Sequence, residues 1–166
     1  KMENQIPNLF KLYRKDFTLK NSIQAIVIPL IFFGGLYFVD PSIIDFAPFL
    51  PYIAAGISLL GLIVFALRYQ FVTSTLRDGV TVKGKVEGFD HHQTVEKNDY
   101  GHVKSRRTSY YVNISYTVDG ETYKKQIRMP NSGFVYNIHD KQEVELMYKE
   151  SSPQKVLIKN VYFSKF

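Results

Sequence analysis

The sequence predicts a membrane-anchored α-helical hairpin followed by a small all-β domain. Three observations indicate this: two uncharged apolar stretches, basic residues that flank both stretches, and an alternation of polar and apolar residues after residue 79. We divide the 166-residue chain into a basic N-terminal segment at 1–22, a two-helix transmembrane hairpin at 23–67 and a soluble β-rich domain at 79–166.

The two apolar stretches, 23–39 and 49–67, contain no charged side chain. As helices rising about 1.5 Å per residue they reach about 26 and about 28 Å. Because the hydrocarbon core of a bilayer is about 30 Å thick, each can span it with some help from flanking residues. A domain of this size could not cover two helices that are apolar all round, which argues against buried core helices.

The charges beside the apolar stretches predict the orientation of the hairpin. Lysine and arginine lie on both outer flanks, whereas the connecting segment 40–48 carries Asp40 and Asp45 and no basic residue. Cytoplasmic segments of membrane proteins carry the excess of basic residues. We therefore expect a multi-pass protein of the cell (inner) membrane with cytoplasmic N- and C-termini. The spacing of apolar and basic residues over 6–17 also predicts a short interfacial helix.

Small residues in the two stretches suggest close helix packing, since in lipid they let helix backbones approach each other. They could serve the packing of the two helices on each other, which we favour, or contact with another membrane protein. The candidates are Gly34, Gly35, Ala54, Ser58 and Gly61.

The second half of the chain alternates with a period of two, which is typical of half-buried strands. Predicted strands lie at 80–87, 110–118, 121–129, 142–148 and 155–158, with Asp119-Gly120 as a hairpin turn, Pro153 as a break and an apolar piece at 161–163. Five or six short strands favour a small antiparallel barrel of the oligonucleotide-binding (OB) or SH3-like type, or a sandwich. The polar segment 91–108 predicts a long mobile loop.

This pattern resembles a bacterial family of membrane-anchored small β-barrel domains of unknown function. The likeness covers residues 79–158 and consists of a Gly-x-Val strand at Gly84, the Asp119-Gly120 hairpin, and a Val-x-Leu-x-Tyr strand from Val144 to Tyr148 followed by a proline turn at Pro153. The resemblance implies the β fold and the membrane context. It implies no catalytic residues.

The sequence contains no pattern that predicts an enzyme. There is no cysteine, and therefore no thiolate nucleophile, disulfide or cysteine metal site. The adjacent His91 and His92 would point to opposite faces of a strand, so they do not chelate one ion easily. No metalloprotease motif, nucleophile elbow or phosphate-binding loop is present. We expect no catalytic residue, cofactor, metal site or small-molecule substrate.

A cluster of basic and aromatic residues is the best candidate for a binding surface. It comprises Lys104, Arg106, Arg107 and Tyr110. On an OB-type barrel such residues could hold single-stranded nucleic acid by charge and stacking. An anionic inner leaflet beside the domain would attract these basic residues, so we favour contact with lipid headgroups or with a protein partner. The net charge of +6 fits either surface.

These observations predict a non-catalytic membrane-anchored protein-interaction module, that is, an adaptor or accessory membrane protein with a cytoplasmic β domain. Its partners would be the lipid bilayer and a protein whose identity the sequence does not indicate. Two alternatives remain open. One is an immunity-type protein that protects the producing cell against a secreted toxin, and the other is an accessory subunit of a transport or secretion complex.

Overall fold

The computed structural model describes residues 7–39 and 48–164. The predicted connection between the apolar helices, with Asp40 and Asp45, lies outside the described residues except for Pro48. The elements in chain order are α1 (Leu9–Lys15), α2 (Phe17–Val39), α3 (Leu50–Asp78), β1 (Val80–Lys97), β2 (Val103–Val118), β3 (Glu121–Met129), a 3₁₀ helix (Gly133–Tyr136), β4 (Glu143–Lys149), β5 (Ser152–Ile158) and α4 (Lys159–Phe163).

The chain forms two compact units. One unit is Thr18–Val72, which contains most of α2 and α3. The other unit joins the N-terminal segment up to Phe17 to the chain from Thr73 onward. The β-rich unit is therefore built from segments on both sides of the helical pair in sequence.

Two helices are long and apolar enough to cross a membrane, as the sequence predicts. In the most apolar part of each helix only 11% of the residues are buried, unlike the core helices of a soluble protein. Large side chains lie open on both helices, with Ile31 at 68% and Leu60 at 64% exposure. Both helices run beyond the predicted spans, since α2 begins at Phe17 and α3 ends at Asp78. Hydropathy predicts the membrane-length part of a helix and not its polar ends.

The five strands form one antiparallel sheet in the order β3-β2-β1-β4-β5. The predicted Asp-Gly hairpin is confirmed, because Asp119 and Gly120 connect β2 to β3 with φ of 51° and 84°. Positive φ at both positions is typical of a type I′ turn, whose twist matches the flanking strands. Within the described residues the sheet is open, with β3 and β5 at its edges, so closure into a barrel is not seen and no second sheet forms a sandwich.

One face of the sheet carries the core. Val86, Ile114 and Leu146 lie on neighbouring strands and are almost completely buried. Gly84 lies between them, and a Cβ there would come within 2.8 Å of Ile114 Cγ2, so only glycine allows this close packing. The sheet is curved enough to bring β2 close to β5. The Tyr116 hydroxyl on β2 donates to the carbonyl oxygen of Pro153 on β5 at 2.9 Å. Burial raises the pKa of Tyr116, which keeps the hydroxyl protonated as a donor.

One prediction about the C-terminal part is wrong. Pro153 does not break the chain before β5 but lies inside it. An edge strand tolerates proline, because the missing N–H can face away from the ladder. The apolar piece at 161–163, for which the sequence predicts no element type, belongs to the short helix α4. Its buried Val161 and Tyr162 are consecutive, so they do not show the alternation of a strand.

Helix α1 packs against α4 through a buried polar contact that we call the terminal latch, formed by Lys15, Asp16, Tyr162 and Ser164. The Lys15 ammonium donates to the carbonyl oxygens of Tyr162 at 3.2 Å and Ser164 at 2.6 Å, and to the Ser164 hydroxyl at 2.8 Å. The Tyr162 hydroxyl donates to Asp16 Oδ2 at 2.7 Å. Lys15 thereby donates to carbonyl groups at the end of α4, where a helix leaves its last carbonyl groups to partners outside the helix.

The charge of Lys15 is costly to bury. Burial first, and repulsion from Lys11 second, lower the pKa of Lys15 from its ordinary value of 10.5. A lowered pKa in the folded state means that the protonated form costs stability, and that this cost disappears as the pH rises through the folded pKa towards 10.5. The three acceptors around the ammonium offset part of this cost.

Replacing Tyr162 with Phe should lower the free energy of unfolding of the β-rich unit by about 1–3 kcal/mol. The substitution removes a hydrogen bond to Asp16, a carboxylate that is only 3% exposed. Tyr100→Phe is the matched control, because Tyr100 is 86% exposed. Chemical denaturation followed by far-UV circular dichroism in detergent measures both variants. Equal stability of the two variants would contradict a structural role for the latch.

Candidate functional site

Strands β1 and β2 continue beyond the rest of the sheet as a two-stranded ribbon. Strand β4 pairs with β1 only over Val80–Lys85, and β3 pairs with β2 only from Tyr110 onward. Further out, β1 and β2 pair with each other as far as Lys97 and Val103. We call residues 91–97 and 103–109, with the turn between them, the ribbon. The prediction of a mobile loop at 91–108 is therefore wrong, since this segment is a β-hairpin.

The turn at the end of the ribbon has a defined hydrogen-bond pattern. The Asn98 side-chain oxygen accepts the backbone N–H groups of Tyr100 at 3.2 Å and His102 at 2.8 Å. Gly101 has a φ of 78°, a conformation that glycine adopts at little cost. The turn thus presents the Tyr100 ring to solvent at the end of the ribbon.

The four candidate contact residues all lie on β2, but on two faces. Because side chains alternate along a strand, Arg106 and Tyr110 share the face that carries the core further along β2. Lys104 lies at an irregularity of the ladder, where alternation does not apply. Arg107 lies on the opposite face, paired with Thr94. The structure therefore brings Arg106 and Tyr110 to one face and separates Arg107 from them.

Arg107 shares its face with a basic residue that the sequence analysis missed. Arg128 on β3 donates to the Ser109 hydroxyl at 2.8 Å, and its guanidinium lies 5.9 Å from the centre of the Tyr111 ring. The same guanidinium lies 3.5 Å from the centre of the Phe17 ring, a cation–π contact. Near Ser109 and Tyr111 this face of the sheet is therefore occupied by contacts of the chain with itself, which favours the other face for binding.

A cleft of about 300 Å³ lies where the ribbon joins the sheet. Its walls are mainly aromatic and apolar and include Phe89, Tyr110, Met129, Phe134 and Ile138. Gly133 packs directly on the Phe89 ring, where no side chain would fit. Phe134 is 82% exposed, and its ring lies edge-on to the His139 ring with 6.4 Å between the ring centres. Such a cleft can hold an apolar side chain, with a few polar groups at its rim.

Sequence reasoning did not find the cleft, because its walls come from distant segments. Phe89 is followed by polar residues and has no apolar neighbour in sequence. Phe134 lies in a short 3₁₀ helix and precedes two buried residues, Tyr136 at the end of this helix and Ile138 after it, and so looks like part of the core. Only the pairing of β1 with β2 brings these segments together.

The helix-packing candidates divide into two groups. Ala54 and Ser58 are buried, and the Ser58 hydroxyl donates to the Ile26 carbonyl oxygen at 3.2 Å. A Cβ at Gly61 would lie 3.0 Å from Ile26 Cγ1, so the two helices approach closely at this point. By contrast, a Cβ at Gly34 or Gly35 would meet nothing within 4 Å. Ala54, Ser58 and Gly61 thus lie at the contact between α2 and α3, whereas the two adjacent glycines do not.

The histidines do not form a metal site in the described part of the chain. His91 pairs with Tyr110 and His92 with Ser109, so the two rings lie on opposite faces of β1. Among residues 7–39 and 48–164, no group of three or more histidine, aspartate or glutamate side chains is arranged to hold a metal ion.

Comparison of the chain with protein-family models, curated proteins and solved structures finds no match. The interpretation of the ribbon and the cleft therefore depends on their own geometry.

Gly61→Val should destabilise the helical unit, because the larger side chain collides with Ile26 and the Ser22 carbonyl oxygen. Gly56→Val is the matched control in the same helix, since a Cβ there meets nothing within 4 Å. Thermal aggregation of the full chain in detergent should begin at a lower temperature for Gly61→Val only. A similar shift for both variants would show that helix propensity, and not the close contact, is responsible.

Proposed function

We propose that this chain is a non-catalytic membrane-anchored protein-interaction module: α2 and α3 anchor it in the membrane, and the ribbon of its cytoplasmic β domain binds a protein partner. The observation that carries the proposal is the ribbon itself. It is an ordered two-stranded extension that leaves the sheet, bears exposed basic and aromatic residues, and has no strand neighbour on either outer edge in the described residues.

The exposed apolar surface of α2 and α3 supports the anchor. Contiguous apolar patches on monomeric soluble proteins rarely exceed a few hundred Å². Here, along both helices, most large apolar side chains of the described residues are exposed or half-buried. Lipid would cover this surface. In a bilayer every backbone N–H and C=O group must be hydrogen-bonded within the protein, and the hydrogen bonds inside each helix meet this requirement.

The terminal latch supports a shared side for the two ends of the chain. Lys15 lies before α2 and Ser164 lies after the sheet, yet they are hydrogen-bonded to each other. A chain that crosses the bilayer twice between these residues can make this contact, whereas a single crossing would separate them. The basic flanks support the cytoplasm as the shared side and the inner membrane as the location.

We also propose that the curved sheet is related to a small barrel. The bond from Tyr116 to Pro153 joins β2 to β5 over the two strands between them, which indicates strong curvature. Further curling of this kind would give an OB- or SH3-like barrel, as the resemblance to bacterial membrane-anchored domains implies.

The free edges of the ribbon favour a protein over lipid as the bound partner. Exposed strand edges present rows of N–H and C=O groups that another chain can pair with. A headgroup surface would use the basic charges of the ribbon but would leave these backbone groups to water. The charges themselves attract an acidic surface and increase the rate of encounter.

Crosslinking in native membranes tests this function. A photoreactive phenylalanine analogue in place of Tyr100, at the exposed end of the ribbon, should give one predominant protein adduct. Arg106→Gln with Arg107→Gln should lower its yield about fivefold, the effect of roughly 1 kcal/mol of lost attraction.

The charge-matched control is Lys124→Gln with Lys125→Gln on the exposed part of β3, which should leave the yield unchanged. Adducts to lipid alone would refute protein binding at the ribbon. An equal decrease in both double variants would show that net charge, and not the ribbon, is recognised.

A further inference from the structure

The outer edge of β2 in the ribbon is shaped to accept another strand. The two-residue turn at Asp119-Gly120 makes Val118 and Glu121 a hydrogen-bonded pair, and such pairs alternate with non-bonded pairs along an antiparallel ladder. By this alternation, residues at even positions of β2 direct their backbone N–H and C=O groups towards β3. Beyond the end of β3, the same groups of Arg106 and Thr108 point outward from the ribbon, whereas Lys104 lies at an irregularity of the ladder between Val103 and Ser105.

This edge begins where β3 ends. Met129 is the last residue of β3 and pairs with Tyr110, and the chain then leaves the sheet through Pro130. No strand of the described residues pairs with the outer edge of residues 103–109. A strand of about seven residues could therefore continue the line of β3 along β2, with a length that is usual for sheets.

The charges on this edge indicate the chemistry of the incoming strand. Residues 103–109 include Lys104, Arg106 and Arg107 and no acidic residue. Glu96, which faces this segment from β1, already accepts a hydrogen bond from the Ser105 hydroxyl at 2.8 Å. Opposite charges on paired strands stabilise a sheet and like charges destabilise it, so an acidic strand fits this edge and a basic strand does not.

The cleft lies at the inner end of the same edge. Tyr110 and Met129, the pair at which β3 ends, both line it. A strand that continues the line of β3 would pass the cleft and could place one apolar side chain inside. Its volume of about 300 Å³ is at the lower limit of small-molecule sites, which suits a single large side chain.

We propose that an extended acidic segment of the partner protein adds to the sheet at residues 103–109 of β2, with one apolar side chain in the cleft. This inference rests on the proposed function and specifies its partner. Backbone pairing would supply affinity, while the basic residues and the cleft would supply specificity.

A proline substitution tests whether the incoming segment pairs with the backbone of β2. Thr108→Pro removes an N–H that points away from β1, so the pairing of β1 with β2 should survive. Thr108→Ala keeps this N–H and is the matched control. The full chain, in nanodiscs of zwitterionic lipid, is titrated with a fluorescein-labelled peptide of alternating glutamate and valine that contains one phenylalanine.

We expect the acidic peptide to bind, and its lysine counterpart not to bind. Thr108→Pro should weaken binding about tenfold, and Thr108→Ala by less than about twofold. Reversing the charge with Lys104→Glu and Arg106→Glu should transfer binding to the lysine peptide, a gain that an unfolded ribbon could not produce.

Other outcomes overturn the inference. Absence of peptide binding at millimolar concentration, or equal effects of Thr108→Pro and Thr108→Ala, would exclude strand addition at this edge. Binding to anionic vesicles that is lost with Lys104→Glu and Arg106→Glu, together with no peptide binding, would assign the basic residues to a lipid surface. The crosslinking yield at Tyr100 distinguishes failure of strand addition from failure of the proposed function. A protein adduct that persists in Thr108→Pro would support protein binding at the ribbon and refute only strand addition.

Discussion

The terminal latch is the contact on which the architecture depends. Lys15 and Tyr162 are 147 positions apart, and the two apolar helices lie between them in sequence. Closing so long a loop has an entropic cost, which grows slowly with loop length. Buried hydrogen bonds and the packing of α1 on α4 offset it. The proposal that both ends of the chain share one side of the membrane rests on this contact between α1 and the segment 162–164.

The β-rich unit combines a packed sheet with an exposed ribbon. Buried side chains such as Val86, Ile114 and Leu146 fix the register of the sheet, since a slip by one residue would turn them to solvent. The ribbon has no such core and is held by the pairing of β1 with β2 and by the Asn98 turn. Segments of this kind belong to the less stable part of a fold, which is where binding elements are commonly found. This difference in packing supports the proposal that the sheet holds the ribbon in place for a partner.

The parts of the fold with a strong physical pattern could be predicted from the sequence. Uncharged apolar runs predicted α2 and α3, alternation predicted most strands, and Asp119-Gly120 predicted its turn, because each pattern follows from local burial or backbone conformation. The ribbon was missed because neither of its faces is buried over most of its length, so nothing requires its residues to alternate. Helix α4 was missed because its five residues are too few to show a period.

The latch and the cleft could not be predicted, because they depend on contacts between distant segments, which a single sequence does not reveal. Arg106 and Arg107 were grouped as one cluster, although a strand places neighbouring residues on opposite faces.

Sidedness of labelling tests the central claim that the latch unites both ends of the chain on one side of a membrane that the helices cross twice. The chain has no cysteine, so Lys11→Cys, Asp45→Cys and Tyr100→Cys each provide a single site. Intact cells are treated with a membrane-impermeant maleimide, before and after permeabilisation. The account predicts labelling of Asp45→Cys in intact cells and of the other two only after permeabilisation. Labelling of Lys11→Cys and Tyr100→Cys from opposite sides, or of all three from the same side, would contradict it.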